Sequence, residues 1–178
     1  MIFTLPMTHP RLICRPPLAS DAPRLFNIYS DPRTQQFNPA GPMASRREAD
    51  ALLASWLEHW QRLGYGWWAV ALAAAPDELI GFGGVAYHDY LDEARLNLGY
   101  RFAPEAWGQG YATELGQLAL RSAFATPGIE RVWALVRPGH AASIRVLEKL
   151  GLRRCGSLDD VPGQPQSLVY AIDKGERP

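Results

Sequence analysis

The turn Trp107-Gly108-Gln109-Gly110-Tyr111-Ala112 joins an alternating apolar run, Arg95 to Phe102, to a segment whose apolar residues recur at helical spacing as far as about Phe124. A strand that runs through a glycine-rich turn straight into a helix constrains both fold and chemistry. Glycine has no Cβ, so backbone N–H groups in such a turn can close on a ligand. The first N–H groups of the following helix lack intrahelical partners, and the helix dipole makes that end positive. Together they form a seat for a phosphate-like anion that needs no lysine or arginine. A Gly-x-Gly pair before a helix is more often a bare tight turn, so the rest of the chain has to decide.

A length of 178 residues with 47% apolar composition is enough for one domain around one core, taken here as residues 1–178. Positive and negative side chains balance at 18 each, and Lys149 and Lys174 are the only lysines, so no basic face for nucleic acid is expected. Cys14 and Cys155 stand far apart without Cys/His ligand spacing, which implies neither a disulfide framework nor a metal site. A reducing, cytoplasmic setting fits that usage. The sequence reads as having no signal peptide and no membrane-length apolar run.

Arg11 to Arg15 alternates and then meets Pro16-Pro17, a short first strand. Ser20 or Asp21 can cap a helix carrying Leu25, Phe26, Ile28 and Tyr29, which Asp31-Pro32 ends. A loop follows over 31–44. Ser45 and Glu48 form a capping box for a second helix running to Gly64. Trp67–Leu72 and Leu79–Val85 suit a hairpin around Ala73 to Asp77, and a loop then carries His88, Asp89, Tyr90, Asp92 and Glu93. Beyond the glycine turn and its helix come a strand over Arg131–Arg137, a helix from Ala141 to Leu150 closed by Gly151, and two last strands, Leu152–Ser157 and Ser167–Ile172. The tail from Lys174 to Pro178 is expected to fray.

Two stretches, Leu98-Gly99-Tyr100-Arg101-Phe102-Ala103-Pro104-Glu105-Ala106-Trp107-Gly108-Gln109-Gly110-Tyr111-Ala112-Thr113-Glu114 and Ala142-Ser143-Ile144-Arg145-Val146-Leu147-Glu148-Lys149-Leu150-Gly151-Leu152, resemble the GCN5-related N-acetyltransferase (GNAT) superfamily. Within it they look like the branch of ribosomal-protein-alanine acetyltransferases, the RimJ/RimL-like proteins. Arg11 to Pro16 and Gly66 to Val70 are similar to the family's opening and second strands, so the likeness covers nearly the whole chain.

The resemblance implies an α+β fold, a mixed and mostly antiparallel twisted sheet of about seven strands with about four helices. Strands four (Arg95–Phe102) and five (Arg131–Arg137) would splay apart, and acetyl-coenzyme A would lie in the gap as acetyl donor, with no metal. Phe102 and Ala103 would pair with the donor's pantetheine arm as an added strand does. Trp107, Gly108, Gln109, Gly110, Tyr111, Ala112 and Thr113 would hold its pyrophosphate, and His140 and Ser143 would flank the arm.

The reaction implied is direct attack of a primary amine on the thioester, which needs a carbonyl polarised and a leaving thiolate protonated. Ser143 occupies the branch's serine position and is the implied proton donor; as a residue, it also suits a helix cap. The family pattern begins with Gln or Arg where this chain has Trp107, read as packing beneath the turn. His140 stands where relatives often carry asparagine. Asn97 stands where they often carry a glutamate base and cannot take a proton, leaving His88, Asp89, Asp92, Glu93 and Glu105 as ordinary loop residues or bases. Phe37, Trp68, His88 and Tyr90 are candidates for an acceptor pocket, although aromatics also serve as core. Trp67 and Trp68, adjacent in one strand, must face opposite sides.

A P-loop is excluded because no Gly-Lys-Ser/Thr follows the turn, and a dinucleotide-binding unit because the next strand opens Glu130-Arg131-Val132 at a different spacing. The function that the resemblance implies is acetyl-coenzyme A-dependent N-acetyl transfer to a small-molecule amine or protein N-terminus. The alternatives are a non-catalytic acyl-coenzyme A sensor, favoured by Asn97 and His140, and a protein-interaction domain on the same fold. No membrane or nucleic-acid partner is implied, and a homodimer is compatible with a small enzyme.

Overall fold

The computed structural model describes residues 7–91 and 93–176. One sheet carries the chain, in the order β1-β2-β3-β4-β5-β6-β8-β7. Its strands are β1 (Met7–Thr8), β2 (Leu12–Arg15), β3 (Trp67–Leu72), β4 (Ala75–Asp89), β5 (Ala94–Phe102), β6 (Arg131–Val136), β7 (Arg153–Leu158) and β8 (Ser167–Asp173). That is eight strands, or seven without the two-residue β1, and all neighbours are antiparallel except β5 and β6. The helices α1 (Ala22–Ser30), α2 (Arg46–Leu63), α3 (Tyr111–Ala125) and α4 (Ala141–Lys149) cover both faces.

Strand alternation sorts the core into two layers. Trp67, Ala69 and Ala71 of β3 pack with Leu25 and Ile28 of α1 and Leu53 of α2. Trp68 and Val70 point the other way, into a cluster with Leu98 of β5 and Leu115 and Leu118 of α3. The two tryptophans thus face opposite sides. A Cβ on Gly99 would lie 2.5 Å from the Trp67 ring, so β5 needs a glycine where that indole crosses it.

The helix ends follow the sequence with two changes. Glu48 N–H donates to Ser45 Oγ (3.4 Å), but the Glu48 carboxylate accepts from Ala44 N–H (3.1 Å), one residue before the expected partner. Asp21 does not cap α1 with its side chain. Its carboxylate takes the Leu18 N–H at 2.7 Å and both terminal nitrogens of Arg15 at 2.8 Å, so the buried charge is spent joining β2 to α1.

The β3–β4 hairpin is tighter than expected. Only Ala73 and Ala74 turn, and β4 starts at Ala75, with register irregularities opposite Pro76 and Asp77 that let a proline lie in a strand. β4 also continues past Val85. His88 and Asp89, expected in a loop, pair with Arg95 and Ala94 of β5. At the other end the tail is tied down as far as Glu176: Lys174 N–H donates to Glu130 and Glu176 N–H to Asp173.

Candidate active site

Through Pro104 to Ala106 the chain makes one 3-10 turn and then enters the glycine segment, where Gly108 (φ +74°) and Gly110 (φ +82°) both occupy the left-handed region. Gly110 is the N-cap of α3 and has no side chain to cap with. The N–H groups of Gly108, Gln109, Gly110, Tyr111, Ala112 and Thr113 find no acceptor among the described residues; the first bonded amide is that of Glu114, to Gly110 O. Open donors and a helix N-terminus therefore converge on one spot.

Arg11 clamps this turn from the far side of the sequence. Its Nη2 donates to Gln109 O at 2.8 Å, its guanidinium pairs with Glu114, and it lies over the Tyr111 ring at 4.7 Å. His9 Nδ1 meets the same Glu114 carboxylate at 2.9 Å.

Beside the turn the sheet opens. β5 and β6 share a single register pair, Asn97 with Trp133, whereas β6 pairs with β8 along its whole length. Ala103 N–H bonds Ile80 O, so antiparallel alternation turns the backbone groups of odd-numbered β5 residues toward β4 and those of Leu98, Tyr100 and Phe102 toward β6. Past the Asn97–Trp133 pair the ladder stops, and β6 receives the groups of neither Tyr100 nor Phe102. Phe102 O is taken by Trp107, whose indole Nε1 donates at 3.0 Å. Trp107 is 48% exposed. It flanks the gap and does not pack beneath the turn, because its N–H is drawn to an unpaired strand carbonyl.

Across the gap stands the first turn of α4. His140 is its N-cap, with Nδ1 accepting the Ser143 N–H at 3.3 Å, so the ring's proton sits on Nε2. Burial and then the Arg101 charge push the His140 pKa down. Capping thus falls to His140, and Ser143 keeps its hydroxyl for another purpose: its Oγ lies 2.9 Å from the Tyr100 hydroxyl on β5. Phe37, from the α1–α2 connection, stacks on His140 with ring centroids 4.2 Å apart. Behind that stack lies a cavity of about 200 Å³ bordered by Phe37, Asn38, Arg137, Gly139 and Gln164.

A model of the acetyltransferase (GNAT) domain matches residues 11–153 of this sequence. The chain belongs to the GNAT acetyltransferase family. Among relatives of this GNAT protein, the uncharacterized N-acetyltransferase YoaA of Bacillus subtilis (strain 168) is 27% identical over 92% of this chain and 94% of its own. YkkB of the same organism, also uncharacterized, is 37% identical, but there the chain spans about half the length of the relative, with 50% of this chain matched to 52% of that one. Two solved structures share the fold. A Vibrio cholerae spermidine N-acetyltransferase in complex with coenzyme A and spermine superposes with a TM-score of 0.76 at 19% identity, over 94% of this chain and 98% of its own. RimL, a ribosomal L7/L12 α-N-protein acetyltransferase in complex with coenzyme A, does so at 0.78 and 18%, over 94% and 96%.

The acceptor candidates are scattered in this GNAT fold. Phe37 reaches the site through His140. Trp68 is 4% exposed inside the α3-side core, which leaves it no surface for an acceptor. Tyr90 is 1% exposed and donates its hydroxyl to Asn97 Oδ1 at 2.5 Å, so it props the point where the sheet divides. His88 lies exposed at the end of β4, edge-on to Tyr90 at 5.9 Å.

The acids are largely spoken for. Glu105 pairs with Arg24, which holds its carboxyl below the usual range, and Glu93 pairs with Arg95. Asp89 is exposed, and Asp92 lies outside the described residues. Sequence reasoning missed Tyr100, whose two-residue spacing from Leu98 and Phe102 could have placed it on the gap-lining strand. It also missed Arg11, for which a separation of 98 residues from Gln109 left no local signal.

Proposed function

We propose that this GNAT protein transfers an acetyl group from acetyl-coenzyme A to a primary amine by direct attack on the thioester, on the pattern of the RimJ/RimL-like branch. The observation that carries this reading is the row of unbonded N–H groups from Gly108 to Thr113 at the mouth of a gap that begins just past Asn97 and Trp133. Residues that fit a diphosphate in this way need no bound metal to do so. Tyr100 N–H and C=O and Phe102 N–H are turned toward the space an extended amide chain would occupy, as an edge strand accepts an added strand.

In this scheme the donor supplies an activated acyl carbon, and the chain's residues do the rest. Ser143, at the end of the gap, protonates the departing sulfur. The Phe37–His140 stack and the cavity behind it form a wall for the amine, consistent with a small-molecule amine or a protein N-terminus.

Asn97 favours a second reading, a non-catalytic acyl-coenzyme A sensor, because its carboxamide is committed to Tyr90 and offers no base. Titration calorimetry with acetyl-coenzyme A, followed by turnover on a panel of polyamines, amino acids and peptide N-termini, separates the two. Binding with turnover is expected. Binding alone assigns the sensor, and absence of both overturns the coenzyme A reading. In the active case Ser143→Ala is expected to lower kcat by about 10- to 100-fold with donor affinity within about twofold.

A further inference from the structure

We infer that Tyr100 is the residue that aims Ser143: its hydroxyl donates across the gap to Ser143 Oγ and so frees the serine's own hydrogen to point at the leaving sulfur. The inference rests on the acetyl-transfer reading above and adds to it a positioning residue.

Three observations support it. Tyr100 lies on β5 and Ser143 in the first turn of α4, which follows β6, so their 2.9 Å contact spans the opening past Asn97 and Trp133. Ser143 is held from behind, since its N–H is fixed on His140 Nδ1. The Tyr100 hydroxyl, finally, has no other partner among the described residues. Two hydroxyls bonded to each other use one hydrogen between them. The phenol is the more acidic of the two hydroxyls and so the stronger donor, and with Tyr100 donating, the hydrogen left over is the serine's. Burial pushes the Tyr100 pKa up to about 12, so the phenol has a hydrogen to give at any pH where the protein works.

The step balances without further reagents. The amine nitrogen bonds to the acyl carbon, the carbon–sulfur bond breaks with its electron pair going to sulfur, and Ser143 gives its proton to that sulfur. The proton shed by nitrogen returns through solvent to Ser143 Oγ. Tyr100 keeps its own proton and steadies the charge that passes over Oγ.

The test compares wild type, Tyr100→Phe, Ser143→Ala and the double variant, with kcat and KM on the best amine of the panel, acetyl-coenzyme A affinity by calorimetry, and thermal unfolding. Tyr100→Phe is expected to lower kcat about tenfold while leaving donor affinity and the unfolding midpoint near wild type. In the Ser143→Ala background the same substitution should change nothing. Wild-type kcat in Tyr100→Phe overturns the inference, as does an equal loss in both backgrounds, which marks a purely structural residue. If Tyr100→Phe does not fold, 3-fluorotyrosine at position 100 takes its place. That stronger donor of nearly the same size is expected to alter kcat only while Ser143 is present, and no difference between backgrounds overturns the proposal. If wild type neither binds the donor nor turns over, both readings fall together, whereas a fully active Tyr100→Phe sinks this one alone.

Discussion

The two sides of the opened sheet are built from different materials. On the side of the glycine turn, the groups on offer are backbone: unbonded amides from Gly108 to Thr113 and the strand edge at Tyr100 and Phe102. On the side of the α1–α2 connection they are side chains already engaged with one another, Phe37 stacked on His140. Backbone donors recognise a feature common to every molecule of one class, here a diphosphate on an amide arm. Side chains on loops recognise an individual, so one side marks a family and the other a single member of it.

The largest expected effect breaks the backbone side outright. Gly110→Val places a β-branched residue at φ +82°, a conformation costing about 1–2 kcal/mol for residues with a Cβ, and brings that Cβ to 3.5 Å from Arg11 Nη2, which clamps the turn. Acetyl-coenzyme A binding should vanish by calorimetry while the protein still unfolds cooperatively a few degrees lower. Retained binding would remove the turn from the site. Next comes the opposite side: Phe37→Ala should leave donor affinity within about twofold and raise the KM for the amine roughly tenfold. The reverse pattern would interchange the two roles.

A pH experiment sharpens the comparison where the sides meet. Neutral His140 caps α4, and its folded pKa lies below its unfolded value, so the unfolded chain takes up the proton first. Its contribution is full above the unfolded value near 6.5 and is lost as pH falls through the folded one. Thermal unfolding between pH 5 and 8 should show a loss of about 1 kcal/mol toward acid, the worth of an N-cap, and His140→Asn should flatten it. The smallest effect belongs to Trp107→Phe, which gives up the bond to Phe102 O and should weaken donor binding about threefold. No change there would make Trp107 a bystander at the rim of the gap.

What the sequence made legible was local. Apolar spacing and the stops at Gly64, Pro127 and Gly151 placed α2, α3 and α4, and the glycines announced an anion seat before any fold was known. Strand ends were read short at β4, because the pairing of His88 and Asp89 with Arg95 and Ala94 depends on a partner strand and not on their own propensity. Trp68 and Tyr90 were open to an acceptor role in the sequence because an aromatic residue reads the same whether it lines a pocket or a core. The grip of Arg11 on Gln109 and the meeting of Tyr100 with Ser143 join residues 98 and 43 positions apart, and only the folded sheet brings them together.

The strand order β6-β8-β7 has a consequence for how the chain matures. β6 is paired to β5 at one residue only, so its real ladder is β8, which is synthesised some thirty residues later and slots in between two strands made before it. A nascent chain emerging from the ribosome can therefore assemble the β2–β5 meander early, yet must carry β6 and β7 as orphans until residues 167–173 arrive to zip both at once. Stalling short of that point would leave half a sheet with its hydrogen-bonding edges bare, the form most prone to sticking to its neighbours.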